Sequence, residues 1–433
     1  MIRFSFKDSL IKEREINKLA KKLRPEIEDM QEAELKEYND DRASINLPDD
    51  LANLKNVKRV ISECLKLNPD YLVVVGIGGS NLGTIAVQEA VLGKFYNQLD
   101  SKLKIFYVDT VDSDSFGDVL RILEPELKKG KKIIVNGISK SGKTTETIAN
   151  FEILVNLIRK YVKDYEKYVV VTTDKFSPFW DLALDKAFNV LEIPKKVGGR
   201  YSVFSPVGLF PLGMLGINLE RLLRGAREMK KICLNEKIMK NPAVMSAVIE
   251  YANYHKGKSI SNLFLFSSDL ESIGKWNRQL FGESLGKKKK GITPIISIGT
   301  TDLHSMLQLY LGGPNDKFTT FVFVEKENTK LIMPKLSEYD LLVDDIQGKE
   351  LSDIMNAILV GVKSSYRINK RPFISIELSN KKDFNIGALL QYKMMQTMYL
   401  GFLLGVNPFN QPDVEKYKEE TRRILRRWIY WKK

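Results

Sequence analysis

Residues 131–161 read KKIIVNGISKSGKTTETIANFEILVNLIRKY, and their reading decides the fold. KKIIVN is an apolar run with a basic start, the pattern of a strand buried on both faces. IANFEILVNLIRKY carries its apolar residues at helical spacing. The loop between them is made of small residues, and GISKSGKT at 137–144 satisfies the phosphate-loop pattern G-x-x-x-x-G-K-[ST]. A strand, a donor-rich turn and a helix start form a ready anion site, because the first N–H groups of a helix have no partner within it. Two readings stand at this point. Either Lys143 grips the phosphates of a nucleotide, or the loop holds some other phosphate and the lysine fits the pattern by coincidence.

Outward from this stretch the same alternation repeats. YLVVVG (71–76), KLKIFYVD (102–109) and YVVVTTD (168–174) read as further strands separated by helical segments. After a helical stretch near 216–256 the pattern resumes with SNLFLFSSD, GITPIISIG, TTFVFVEK and RPFISIEL. Such alternation predicts an α/β protein with two open, mostly parallel sheets covered by helices. The expected organisation is a helical arm over 1–45, a first α/β domain over 46–215 that carries the phosphate loops, a second over 216–404, and a helical tail over 405–433. The tail ends in EETRRILRRWIYWKK, a basic amphipathic helix whose aromatics are expected to dock on the body.

Composition narrows the function classes. The 433 residues are 43% hydrophobic and 28% charged, ordinary for a chain with a sizeable core. The formal charge of +14 suggests nucleic acid at first, but the lysines are scattered and the one dense run, KKKKG at 287–291, is short. The charge is expected to steer a small anion instead, with no nucleic-acid and no membrane partner. Two distant cysteines, Cys64 and Cys233, predict reduced thiols and a cytoplasmic location. With only two histidines in the chain, a zinc site of common spacing is not expected, and neither a metal nor a cofactor is called for.

A second loop has the same layout as the first. In VVVGIGGSNLGT (73–84), Gly76, Gly78 and Gly79 allow a tight turn and close backbone approach, and Ser80 stands at the next helix start. Both loops would open at the carboxyl edge of one sheet, where ligands of open α/β sheets sit. Ser139, Ser141, Thr144, Thr145 and Thr147 supply a row of hydroxyls suited to the oxygens of a phosphate monoester, although Ser and Thr are also ordinary helix caps. The nucleotide reading can point to Asp174 as a magnesium-positioning carboxylate, but it leaves the GIGGSNLG loop without a role.

Three further clusters stand out. VGGRYSVFSPVG (197–208) sets Arg200 after two glycines, so that a fixed guanidinium would face a cavity. NRQLFGESLGKK (277–288) sets Glu283 between Gly282 and Ser284 in a loop-like break after a helix. TTDLHS (300–305) carries His304. Each has a bland alternative: an ion pair, a solvated carboxylate and a helix-start histidine. His255 has no comparable setting and reads as surface.

Taken in order, GIGGSNLG, SKSGKTTET, GGRYSVFSPVG, GESLGK, the LH of TTDLHS and FNQPDVEKYK (409–418) closely resemble the motifs of the glucose-6-phosphate isomerases, over roughly residues 40–420. The sequence departs from the family pattern at Asp413, where a small residue is usual, and at Lys195. The resemblance implies two sugar-isomerase-type α/β sandwich domains and the interconversion of D-glucose 6-phosphate and D-fructose 6-phosphate through an enediol-type intermediate. It implies Glu283 as the proton-shuttling base, Arg200 as the cation that stabilises developing oxygen charge, and His304 with Lys418 as the ring-opening pair. It further implies that Ser139, Lys140, Ser141 and Thr144 hold the sugar's phosphate, with Gly79, Ser80 and Gln411 on substrate oxygens or phosphate. Lys143 then falls at a variable position. A homodimer with a shared site is implied as well, the histidine arriving from the neighbouring subunit. The remaining alternatives are a nucleotide hydrolase using Lys143 and Asp174, a non-catalytic sugar-phosphate sensor, and an isomerase that also accepts mannose 6-phosphate.

Overall fold

A computed structural model describes residues 2–339, 341–343 and 345–431, with the backbone alone for 428–431. In chain order its strands are β1 (Ile2–Ser5), β2 (Tyr71–Val75), β3 (Lys104–Val108), β4 (Ile133–Ile138), β5 (Val169–Thr173), β6 (Asn189–Glu192), β7 (Ile260–Phe266), β8 (Thr293–Ile298), β9 (Lys317–Val324) and β10 (Phe373–Leu378). They form two five-stranded sheets, in the orders β3-β2-β4-β5-β6 and β1-β10-β9-β7-β8. All pairings in the first are parallel. The second is parallel except for β1, which lies antiparallel on β10 at the edge.

The eight strands expected from apolar runs are all present. In β2, YLVVV, and β5, VVVTT, every residue is buried, as a sheet covered on both faces requires. Two strands carry no such signal. β6 is an edge strand of mixed burial, NVLE. β1 is IRFS, within the segment expected to be a helical arm, and its Arg3 bonds Glu377 across the β1–β10 pair through both guanidinium and carboxylate forks, at 3.0 and 2.7 Å. Four residues are too few for alternation to register as a period. The helices Glu13–Ala20, Arg24–Glu34 and Leu51–Lys66 account for most of the charged N-terminal region.

Between the sheets, the helix Asp383–Leu404 is buried along nearly its whole length. Its sequence, IGALLQYKMMQTMYLG, is apolar on most of every face, as a central helix should be, and its buried Lys393 and Gln396 are hydrogen-bonded to each other and on to Glu250. It crosses the helix Leu219–Cys233 at two glycines. A methyl group at Gly225 would sit 1.9 Å from the Phe384 carbonyl oxygen, and one at Gly387 2.0 Å from that of Leu222. The two backbones are therefore in direct contact, and no side chain larger than hydrogen fits. Cys64 and Cys233 are buried free thiols. Among the described residues no helix is long and apolar enough to cross a membrane.

Overpacking of this kind costs about 1–3 kcal/mol. Gly225→Ala should therefore lower the thermal midpoint by several degrees, measured by circular dichroism. An unchanged midpoint would mean that the two helices separate freely.

Candidate active site

In the first sheet the chain runs from β2 to β3 on one side and then to β4 on the other, so the carboxyl ends of β2 and β4 flank a crevice. The loop after β2 turns at Gly78, with φ +58°. Its Gly79 meets the Gly199–Tyr201 turn so closely that a methyl group there would lie 2.2 Å from the Gly199 carbonyl carbon. The loop after β4 is tied down from behind. The Thr173 hydroxyl donates to the Ser139 carbonyl at 2.6 Å, and the Asp174 N–H to that of Lys140 at 3.1 Å. Gly142 has φ +65°. The Thr144 hydroxyl pairs with Ser139 Oγ at 3.0 Å and does not cap the helix Thr145–Tyr161. The first N–H groups of that helix are left without a side-chain partner, which suits an anion.

Two lysines in this loop fare differently. Lys143, the residue that makes the nucleotide pattern, is exposed, whereas Lys140 is half-buried. The Lys140 ammonium donates to the Lys195 carbonyl at 2.6 Å. Burial pulls its ionisation below the ordinary lysine value, against the attraction of Asp174. Asp174 lies behind the loop, one carboxylate oxygen buried without a hydrogen-bond partner. Burial pushes its ionisation up to about 6, with Lys140 opposing.

The Gly199–Tyr201 turn delivers Arg200, whose side chain is 1% exposed. It is enclosed and does not face a cavity, contrary to the expectation from its flanking glycines. Each of its five N–H bonds meets an acceptor. Nε donates to Ser284 Oγ at 2.7 Å. Nη1 reaches Glu283 Oε2 at 3.2 Å and Gln411 Oε1 at 2.7 Å, and Nη2 reaches the carbonyls of Pro408 and Asn410 at 2.6 and 3.0 Å. Desolvation makes such bonds stronger than they are in water, and the planar fork sets their directions.

Glu283 differs from its expected setting too. It sits in the last turn of the helix Glu271–Leu285, in which Gly282 and Ser284 are helical. Its side chain is 31% exposed, so one face is open to a ligand. Gln279, one turn earlier, donates to Glu283 Oε1 at 2.9 Å. Gln279 also adjoins the first loop, since a methyl group at Gly78 would lie 2.8 Å from its Nε2. Loop, carboxylate and amide thus adjoin one another, with the enclosed guanidinium behind them. Gln279 and Ser284 are members that the sequence did not single out. The i, i+4 spacing of Gln279 and Glu283 was the available signal, but it marks a site only once Glu283 is known to be helical.

His304 and Lys418 are not brought to this centre. His304 is exposed on the short helix Thr301–Ser305 after β8. Lys418 lies on the helix Glu415–Trp431 and donates to Glu415 at 2.8 Å. Among the described residues no hydrogen bond or ion pair joins either of them to Arg200 or Glu283. The described side chains of that last helix are nearly all exposed, and the docking expected of Trp428, Tyr430 and Trp431 lies outside the described side chains. Asp413 stands in the Pro412–Val414 turn just ahead of this helix, where negative charge is favourable to the helix dipole. A cavity of 530 Å³ opens elsewhere, at the carboxyl ends of β7 and β9 beside Lys381. It holds none of the converging groups above, and convergence of charged and amide groups is the better marker of chemistry.

Residues 68–428 match the family model of phosphoglucose isomerase. The chain is 39% identical over 358 residues to a probable glucose-6-phosphate isomerase of Methanococcus maripaludis, covering 83% of this chain and 79% of that one. It is 36% identical over 357 residues to the glucose-6-phosphate isomerase of Methanocaldococcus jannaschii, covering 82% and 84%. Among solved structures, a hypothetical protein from Thermus thermophilus superposes with a TM-score of 0.86 at 28% identity, covering 98% of this chain and 100% of that one. A glucose-6-phosphate isomerase from Chlamydia trachomatis shares the fold, with a TM-score of 0.83 at 21% identity and coverage of 98% and 88%. The family model spans every strand of both sheets except β1 and every segment that meets at Arg200, and the chain belongs to the phosphoglucose isomerase family.

Proposed function

We infer that this protein catalyses the reversible isomerisation of D-glucose 6-phosphate and D-fructose 6-phosphate, the aldose–ketose step of glycolysis and gluconeogenesis. The observation that carries the reading is the junction of a partly open carboxylate, Glu283, with a buried guanidinium and two amides, beside two phosphate-type loops at one sheet edge. Sugar-phosphate chemistry of this kind moves one proton between adjacent carbons and needs a base within reach of both.

In the direction from aldose to ketose, Glu283 takes the proton from C2 of the open-chain sugar. The C2–H electron pair becomes the C1–C2 double bond as the carbonyl π pair moves onto O1, and an enediol(ate) results. Glu283 then returns the proton to C1 as the hydroxyl proton of O2 moves to O1. Arg200 supplies a fixed positive field where charge develops. Because its donors are already committed to protein acceptors, its contribution runs through the placement of Glu283 and Gln411 as well as through its charge. Ser139, Lys140, Ser141 and Thr144, with Gly79 and Ser80 of the first loop, would hold the phosphate, whose binding energy orients C1 and C2 against the base.

Ring opening falls to His304 and Lys418. The exposure of His304, together with its separation from Glu283 within one chain, favours a two-fold homodimer in which each subunit lends its histidine to the other. Imidazole can give and take a proton near neutrality. The reading also places the enzyme in the cytoplasm.

Incubation with fructose 6-phosphate, followed by a coupled dehydrogenase that detects glucose 6-phosphate, should show turnover. Glu283→Gln should lower kcat by about 10²–10⁴-fold. Absence of turnover in the parent would contradict the reading. In the same assay Lys140→Ala should raise KM strongly while Lys143→Ala leaves both constants nearly unchanged, because only Lys140 is held at the loop. A large rise in KM for Lys143→Ala would contradict this assignment, because the exposed lysine would then be holding the phosphate. Sedimentation at assay concentration should give a dimer, and a fully active monomer would exclude a shared site.

A further inference from the structure

The lysine run 287–290 has no part in the reaction described so far, yet its backbone is unusual. Residues 287 and 290 bond each other in both directions, Lys287 N–H to the Lys290 carbonyl at 3.0 Å and Lys290 N–H to that of Lys287 at 2.9 Å. The two residues at the turn, Lys288 and Lys289, have φ of +53° and +59°. Paired positive φ values are the signature of a type I′ turn, which ordinarily takes Asn-Gly. A lysine pair there is costly, and strain of this sort points toward a use.

The side chains show what the turn achieves. Lys290 Nζ donates to the Leu404 carbonyl at 2.9 Å, Lys288 Nζ to that of Gly405 at 3.4 Å, and Lys287 Nζ to that of Asn407 at 2.7 Å. Leu404 ends the central helix and Gly405 is its left-handed cap, so the run covers the negative end of a helix dipole. Lys287 is 7% exposed and also donates to the Ser284 carbonyl at 2.9 Å. It therefore bridges the last turn of the Glu283 helix to the segment that next supplies Pro408, Asn410 and Gln411 to Arg200.

We propose that Lys287 is a positioning residue of the isomerase, tying the end of the Glu283 helix to residue 407 so that Glu283, Arg200 and Gln411 keep one register. It touches none of the reacting atoms. The proposal rests on the isomerase reading above. Three charged groups face its ammonium from the elements packed around it: Arg200 from the 199–201 turn, Glu283 from the helix, and Asp413 from the turn before the last helix. Burial, with Arg200 adding to it, brings the ionisation of Lys287 down to about 8. As pH rises through that value the ammonium loses its charge, and its hold on the two carbonyls weakens. The tie is therefore complete below about pH 8 and slackens above it.

The test is the pH profile of kcat for the parent, Lys287→Met and Lys287→Arg. Misplacing a catalytic group by about 1 Å costs on the order of 10²-fold. Lys287→Met should lose about 10–100-fold in kcat with KM within about threefold. Lys287→Arg should recover most of the rate and carry the alkaline fall of kcat to higher pH, since a guanidinium stays charged. If Lys287→Met fails to fold, the alkaline limbs of the parent and Lys287→Arg still decide. Coincident limbs, or a Lys287→Met variant with parental kcat, would overturn the proposal. An inactive parent would overturn the isomerase reading along with it, whereas an active parent with unchanged variants counts against Lys287 alone.

Discussion

The structure depends on Arg200 more than on any other side chain. One guanidinium, 1% exposed, makes all its hydrogen bonds to two segments distant in sequence: the helix end at 283–284, and residues 408–411 through the carbonyls of Pro408 and Asn410 and the amide of Gln411. Burying such a charge is expensive unless every donor is met. The geometry of those partners is thereby fixed, since moving any one leaves a buried donor unpaired. Of the five acceptors, two are backbone carbonyls, and the Ser284 hydroxyl and the Gln411 amide share the guanidinium with Glu283.

Around this centre, the two sheets perform different tasks with one topology. Each places its first parallel strand between the second and third: β2 between β3 and β4, and β7 between β8 and β9. In the first sheet the resulting crevice is lined by glycine turns and an uncapped helix start. In the second, the helix that follows β7 runs away from the sheet edge and brings Glu283 to the first sheet's loops at its far end. The site is thus shared between two similar units, with backbone chemistry from one and a carboxylate from the other.

Much of this was legible in the residues. Apolar runs of β-branched, leucine and aromatic residues marked eight of the ten strands, and glycine and hydroxyl residues at the ends of β2 and β4 marked the loops. The segments bearing Arg200, Glu283 and Gln411 were recognisable as well. What sequence alone did not show depends on contacts that form only on folding. Gly282 and Ser284 suggest a break, yet they continue a helix whose end is held by Arg200, Tyr201 and Lys287 through the Ser284 hydroxyl and carbonyl. The flanking glycines of Arg200 suggested an opening, whereas the turn they form is packed against the first loop, where only the absence of a side chain at Gly79 lets the two backbones meet. The lysine run looked like a surface patch until the end of the central helix was in place to receive it.

The most direct test of the central role of Arg200 is the rate at which deuterium from D2O enters C2 of the product hexose phosphate, followed by NMR in the parent and in Arg200→Lys. The carboxylate is 31% exposed, so a proton held on it between the two carbons should exchange in part with solvent. The parent should incorporate deuterium during turnover. Arg200→Lys, which keeps the charge but not the fork, should lose exchange and turnover together by about 10²–10³-fold. Parental exchange in Arg200→Lys would contradict the account, because base and substrate would then hold their register without the guanidinium.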